Sequence, residues 1–179
     1  MSEEINQLEK NYKKFANIIE KLDNKGLLSF VEELGDNLVM SPSAAQKDEY
    51  GCFPGGVIDM ALQLSQIMRK LEIIADYKVD VQEIYLVAFL RAIAESGDSV
   101  TRMFEPHDSS WHVEKLGLLY KRNPKLNGTT WVTRAIEIAT VKNLGLSSAE
   151  VMAVLTAEND KPYNDLGRLL KSANTLLIQ

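Results

Sequence analysis

The sequence predicts a single all-α domain, and three observations carry that reading. Apolar residues recur at three- and four-residue steps through most of the chain. Two capping-box patterns, Asp80 with Glu83 and Ser147 with Glu150, stand directly ahead of apolar runs. No stretch alternates with a clear period of two, and no repeat or low-complexity linker divides the chain, so one helical bundle with non-parallel packing is expected.

In the first segment Ile5, Leu8, Tyr12, Phe15, Ile18, Ile19 and Leu22 share one face of an amphipathic helix, which Asn24 and Gly26 are expected to end. A shorter helix follows from Leu27 to Leu34. The stretch "GDNLVMSPSAAQKDEYGCFPGG" has the Gly, Pro, Ser and Asp density of an ordered loop, long enough to imply a functional or packing role. From Val57 to Ile74 apolar residues cover most of a helix circumference, which predicts a central, buried helix. The run "IYLVAFLRAIA" after Asp80 is apolar on all sides except at Arg91 and predicts a second buried helix. Helices are then expected over "SSWHVEKLGLLYKRN", from Thr130 to Lys142, after Ser147, and finally through Leu166, Leu169, Leu170, Ala173, Leu176 and Leu177.

The bounds on function come from composition. The 179 residues, 45% of them hydrophobic and 25% charged, suit one packed domain rather than a disordered chain. A net charge of -5 argues against enveloping nucleic acid, and the basic run "LYKRNPK" reads as a solvated loop between helices. Cys52 is the single cysteine, Met1 to Lys10 is polar, and no apolar run reaches membrane-helix length, so a cytoplasmic protein without membrane association is expected. Phosphate-cradling Gly-rich loops, dinucleotide fingerprints, zinc-finger pairs and metalloprotease His spacings are missing from the sequence. Cys52 reads as packing rather than as a nucleophile paired with a His.

Three separated stretches carry a family resemblance. "EYGCFPGGVIDMALQL" resembles the segment of HD-domain metal-dependent phosphohydrolases that reads Tyr-His-x-Ala-Tyr/Phe-Pro-Gly-Gly, an aliphatic pair, then Asp/Glu-His. "IYLVAFLRAIAESGD" resembles the following buried helix, which bears the paired His-Asp and ends Gly-Lys-x-Gly-Asp. "SSWHVEKLGLLYKRNPKL" and "GLSSAEVMAVLTAEND" are similar to continuations in versions of the domain encoded by tailed phages. The resemblance implies an HD-like bundle over 41–179, with residues 1–40 supplying additional N-terminal helices, and a host-cytoplasmic or virion setting.

It also implies that the metal ligands have been replaced. Tyr50 stands where the family places its first His, Met60 where it places the His after the Pro-Gly-Gly turn, Arg91 and Ala92 where it places His-Asp, and Ala157 where it places the late Asp. Glu95 replaces the family's Lys, whereas Phe53, Pro54, Gly55, Gly56, Asp59, Gly97 and Asp98 match the pattern. HD-type hydrolysis needs a cation to acidify water and polarise a phosphoryl oxygen, and Tyr, Met and Ala are poor or impossible ligands. A fixed positive charge about 5 Å from a dication costs on the order of 7 kcal/mol at an effective dielectric near 20. No metal and no cofactor is therefore expected, and Arg91 is expected to pair with Asp59, Asp98 or Glu95. A sharper expectation is an anion pocket drawing on Arg91, Asp59, Asp98, His112 and Lys115 that holds a phosphate or nucleotide without cleaving it.

His112 and Lys115 lie three residues apart on one expected helix face, as a phosphate or acidic partner would require. Trp111 and Trp131 read as core or partial-core anchors, with a partner interface as the second reading. Two function classes follow. The first is a catalytically inactive HD-like domain that acts by binding a protein partner, in a regulatory or virion-associated role. The second is a divergent phosphohydrolase or phosphate binder using Asp59, Asp98, His107, His112 and Lys115. Dimerisation through Ile5, Tyr12 and Ile19 is compatible with the first.

Overall fold

The computed structural model describes residues 2–178, with side chains described from residue 5. Helix α1 (Ser2–Lys21) buries Phe15 and Ile19 and leaves Ile5 and Tyr12 exposed, so the predicted stripe is covered mainly over its second half. Asn24 then caps α2 (Lys25–Leu34), its side chain accepting from the Leu27 amide at 3.0 Å. Gly26 does not terminate a helix, as the sequence suggested, but lies in the first turn of α2. A Cβ there would stand 2.4 Å from the Lys142 carbonyl oxygen, so the missing side chain permits a close backbone approach. Residues Asp36–Met40, expected in a loop, form a short helix α3 behind Gly35.

The ordered loop runs from Ser41 to the turn at Phe53–Gly55, and backbone bonds tie it down. The Ser43 amide donates to the Gly51 carbonyl at 2.9 Å, Lys47 to Gly117 at 2.8 Å, and Tyr120 to Ala45 at 3.1 Å. Gly55 has φ +85°, and a Cβ on Gly56 would lie 2.0 Å from the Gly51 carbonyl oxygen. The paired glycines therefore let the chain fold against its own backbone before helix α4 (Gly56–Ala75) begins.

Helix α4 and helix α5 (Val81–Ile93) are the centre of the molecule. Val57, Met60, Ala61, Leu64 and Met68 of α4 and Ile84, Val87, Phe89, Leu90 and Ile93 of α5 are all buried. Both arms of the predicted Asp80/Glu83 capping box are formed. Phe15 of α1 stacks on Phe89 with ring centroids 4.8 Å apart, so the first helix closes the same core.

The segment after α5 departs from the all-helical expectation. Phe104–Pro106 (β1) and Tyr120–Arg122 (β2) pair antiparallel, with Phe104 opposite Arg122 and Pro106 opposite Tyr120. Three-residue strands are too short for alternation to register in sequence. They flank helix α6 (Ser110–Leu116), which stops at the left-handed Gly117 rather than continuing to Asn123. The basic run "LYKRNPK" thus contributes a strand and the start of a 3-10 turn at Pro124–Leu126 instead of a loop between helices.

Helices α7 (Trp131–Val141), α8 (Ser148–Thr156) and α9 (Asp165–Ile178) complete the chain, with the Ser147/Glu150 capping box formed ahead of α8. Helix α9 packs on α4 and α8, and α7 on α5 and α8. Met60, Met68 and Trp131 are buried as expected, whereas Trp111 is 57% exposed on α6 and is not a core anchor. Helix dominates the described residues, and none of their helices is long and apolar enough to cross a membrane.

Candidate functional site

A concavity of about 430 Å³ forms where the last turn of α5, the first turn of α7, the end of α8 and the face of α9 meet. Its lining includes Arg91, Trp131, Ala157, Glu158, Lys171 and Asn174. Arg91 is only 6% exposed, and its guanidinium lies 4.6 Å from the Trp131 ring centroid. Such stacking suits a weakly hydrated, delocalised cation. Nη1 of Arg91 donates to Glu95 Oε1 at 3.1 Å, one helical turn along α5. Of the three acidic partners expected for Arg91, Glu95 is therefore the one that pairs with it.

Burial lowers the affinity of Arg91 for its proton, and the Glu95 carboxylate works in the opposite direction, with a smaller contribution from Glu158. At neutral pH the group remains a cation. Trp131 Nε1 donates to Glu158 Oε1 at 2.6 Å, and Lys171 Nζ donates to the Asn159 carbonyl at 2.6 Å, so both walls are fixed by polar contacts. Of the four enclosed side-chain atoms without partners among the described residues, two belong to this lining, Nε of Arg91 and Oδ1 of Asn174; the other two are Nε of Arg122 and of Arg134.

Of the five positions implied to have lost metal ligands, Arg91 and Ala157 come together here. Ala92 and Met60 are buried in the apolar core. Tyr50 faces Asp59: its hydroxyl donates to Asp59 Oδ2, while Asn11 Nδ2 donates to Asp59 Oδ1 at 3.0 Å. Gln7 Nε2 donates in turn to Asn11 Oδ1 at 2.8 Å, which links α1 to the α4 entrance through a polar chain. Burial, then the neighbouring Asp59 carboxylate, holds the Tyr50 phenol well above its ordinary value. The residues at the Arg91 pocket do not fit a dication: alanine offers no donor atom, and the guanidinium repels one. Among the described residues no three His, Cys, Asp or Glu side chains gather as a metal site requires.

The other expected site residues are distributed elsewhere. Asp98 accepts from the amides of Val100 and Thr101 at 2.8 and 2.6 Å and so shapes the loop before β1. His107 and His112 do come together, with rings stacked at 4.4 Å. Ser109 bridges them, its amide donating to His107 Nδ1 at 3.1 Å and its hydroxyl lying 2.8 Å from His112 Nδ1. Lys115 is exposed farther along α6. Lys121 pairs with Asp108 at 2.9 Å, which raises the lysine and holds the Asp108 carboxyl below its usual range. Cys52 is buried, and burial, ahead of the nearby Glu49 and Asp48 carboxylates, pushes its thiol up and away from nucleophilic character.

Lys171, Asn174 and Glu158 were not singled out in the sequence. Lys171, Asn174 and Ile178 fall at steps of three and four beside the apolar stripe of the last helix, which is the signal that places them on one face. A second groove, of about 460 Å³, lies between Ile5, Leu8 and Asn11 of α1 and the Phe53–Pro54–Gly55 turn and is mainly apolar. Comparison with protein-family models, curated proteins and solved structures finds no match to this chain.

Proposed function

We propose that this chain is a degenerate HD-like helical domain that acts by binding rather than by hydrolysis. The observation that carries the reading is the character of the Arg91 pocket. At the position where the resemblance implies a metal-ligating His stands a buried arginine, paired with Glu95 and stacked on Trp131. Ala157, at the implied late Asp, lines the same concavity. A fixed cation with a free hydrogen-bonding edge recognises a partner group; it does not activate water. A regulatory or virion-associated role in a tailed phage, reached through a bound partner, is the setting that the resemblance supplies.

The test is turnover. Purified protein supplied with Mn, Mg, Fe or Zn ions is expected to release no product from generic phosphomonoesters, phosphodiesters and nucleotides. Metal-dependent, saturable hydrolysis that disappears in an Arg91→Met variant would overturn the reading.

A further inference from the structure

The Arg91 pocket has donors and an acceptor that the protein does not satisfy. Glu95 occupies Nη1 of Arg91 and leaves the edge formed by Nε and Nη2, on which Nε is enclosed and without a partner. Those two N–H groups point in parallel, the geometry that takes a carboxylate or phosphate in a bidentate manner. An enclosed donor without a partner is costly, so a complementary acceptor gains more there than at an exposed arginine. Lys171 lines the same pocket and has one hydrogen bond to the Asn159 carbonyl, which leaves ammonium donors for a second contact. Asn174 Oδ1 is an enclosed acceptor that awaits an O–H or N–H group.

Charge sets the rest. Arg91 and Lys171 are matched by Glu95, which holds Nη1, and by Glu158, which shares the lining. The four charges sum to zero, so the unpartnered N–H groups of Arg91 and Lys171, rather than a net positive charge, receive an oxyanion, and repulsion from Glu158 grows with each negative charge it carries, which favours the lowest charge.

We propose that this pocket binds a singly charged oxyanion, a carboxylate or a phosphodiester, that carries a neighbouring hydroxyl or N–H donor. Arg91 clamps the oxyanion through Nε and Nη2, Lys171 adds the second cation, and Asn174 accepts from the neighbouring donor. This names the ligand of the site on which the functional reading rests. The Trp131 indole borders the site and reports its occupancy.

The experiment is a titration of isotopically labelled protein with acetate, glycolate and dimethyl phosphate at constant ionic strength, following the Trp131 indole and the side-chain amide of Asn174. Glycolate binding in the millimolar range and tighter than acetate assigns the carboxylate source; dimethyl phosphate binding ahead of both carboxylates assigns the phosphodiester. Arg91→Lys keeps the charge, removes the bidentate edge and is expected to weaken binding about tenfold. Lys171→Met and Asn174→Leu lie on half-buried positions of α9 and guard against a folding defect at Arg91; Lys171→Met weakens every probe, and Asn174→Leu removes the advantage of glycolate over acetate. If no probe moves either resonance, or if Arg91→Lys and Lys171→Met bind as the unaltered chain does, the proposal is wrong while the non-hydrolytic reading stands. Hydrolysis of a bound phosphodiester would instead sink that reading.

Discussion

Replacing Glu95 by Ala is expected to destabilise the fold through a charge that stays behind. Arg91 is 6% exposed and its one charge-paired hydrogen bond, at 3.1 Å, goes to Glu95. Breaking a buried ion pair by removing one partner costs about 3–5 kcal/mol, because the other charge remains desolvated and unmatched. Glu158 still acts on Arg91 and the Trp131 ring still faces the guanidinium, which places the expected loss near the lower bound, about 3 kcal/mol. For a chain of this size that corresponds to a melting temperature lower by roughly 6–12 °C. The comparison that isolates the mechanism is Arg91→Met combined with Glu95→Leu, which removes both charges and fills similar volume. That double variant is expected within about 1 kcal/mol of the unaltered protein. Urea and thermal unfolding of Arg91→Met, of Glu95→Leu and of their combination form the cycle, with Glu95→Ala measured beside it. A loss below about 1 kcal/mol for Glu95→Ala, or additive single effects, would refute the claim that Arg91 depends on this partner.

Three further expectations concern the scaffold. Phe15→Ala removes a fully buried ring stacked on Phe89 and is expected to cost about 3–5 kcal/mol in urea unfolding; a loss under about 1 kcal/mol would make α1 an appendage rather than part of the core. Gly56→Ala forces a Cβ to within 2.0 Å of the Gly51 carbonyl oxygen and is expected to cost about 3 kcal/mol or more, whereas Ala at the open position Gly128 does not create such a clash. Burial, then the Asp59 carboxylate, holds the Tyr50 phenol above the ordinary tyrosine value of about 10, so the unfolded chain loses this proton first as pH rises. Its contribution to stability is therefore fully present below about pH 10 and declines above it, and Tyr50→Phe is expected to flatten that decline; an unchanged alkaline slope would show that Tyr50 does not titrate as described.

The long helices were legible because their signals are local and repeated. The periodicity of the first segment, the all-round apolar character of 57–74 and 84–94, and the two capping boxes depend on neighbours within a few residues. Glu95 was one of three acidic partners the sequence left open for Arg91, and its place one helical turn away is the local signal that the structure bears out. The hairpin pairing of β1 with β2 was not, because three-residue strands offer no period and their pairing joins segments separated by α6. Gly26 was misread as a stop because its reason lies in the distant Lys142 carbonyl. The candidate site divided along the same line. Arg91 and Ala157 announced themselves by resemblance, while Lys171, Asn174 and Glu158 enter the pocket only once α8 and α9 fold back over α5. The stacking of His107 on His112 likewise depends on the turn at Ser109 rather than on their spacing along a helix. Trp111 reads from residue type first as a core or partial-core anchor and only second as a partner surface, but the short α6 has no buried residue and presents it outward.

The most direct test of the central claim, that a fixed cation occupies the place of a catalytic metal, is metal stoichiometry. Protein purified without chelator would be measured by elemental mass spectrometry and then titrated calorimetrically with Mn, Fe, Zn and Mg ions. The account predicts substoichiometric metal and no saturable heat at micromolar concentrations. One tightly bound ion per chain, lost on chelation and recovered on addition, would contradict it.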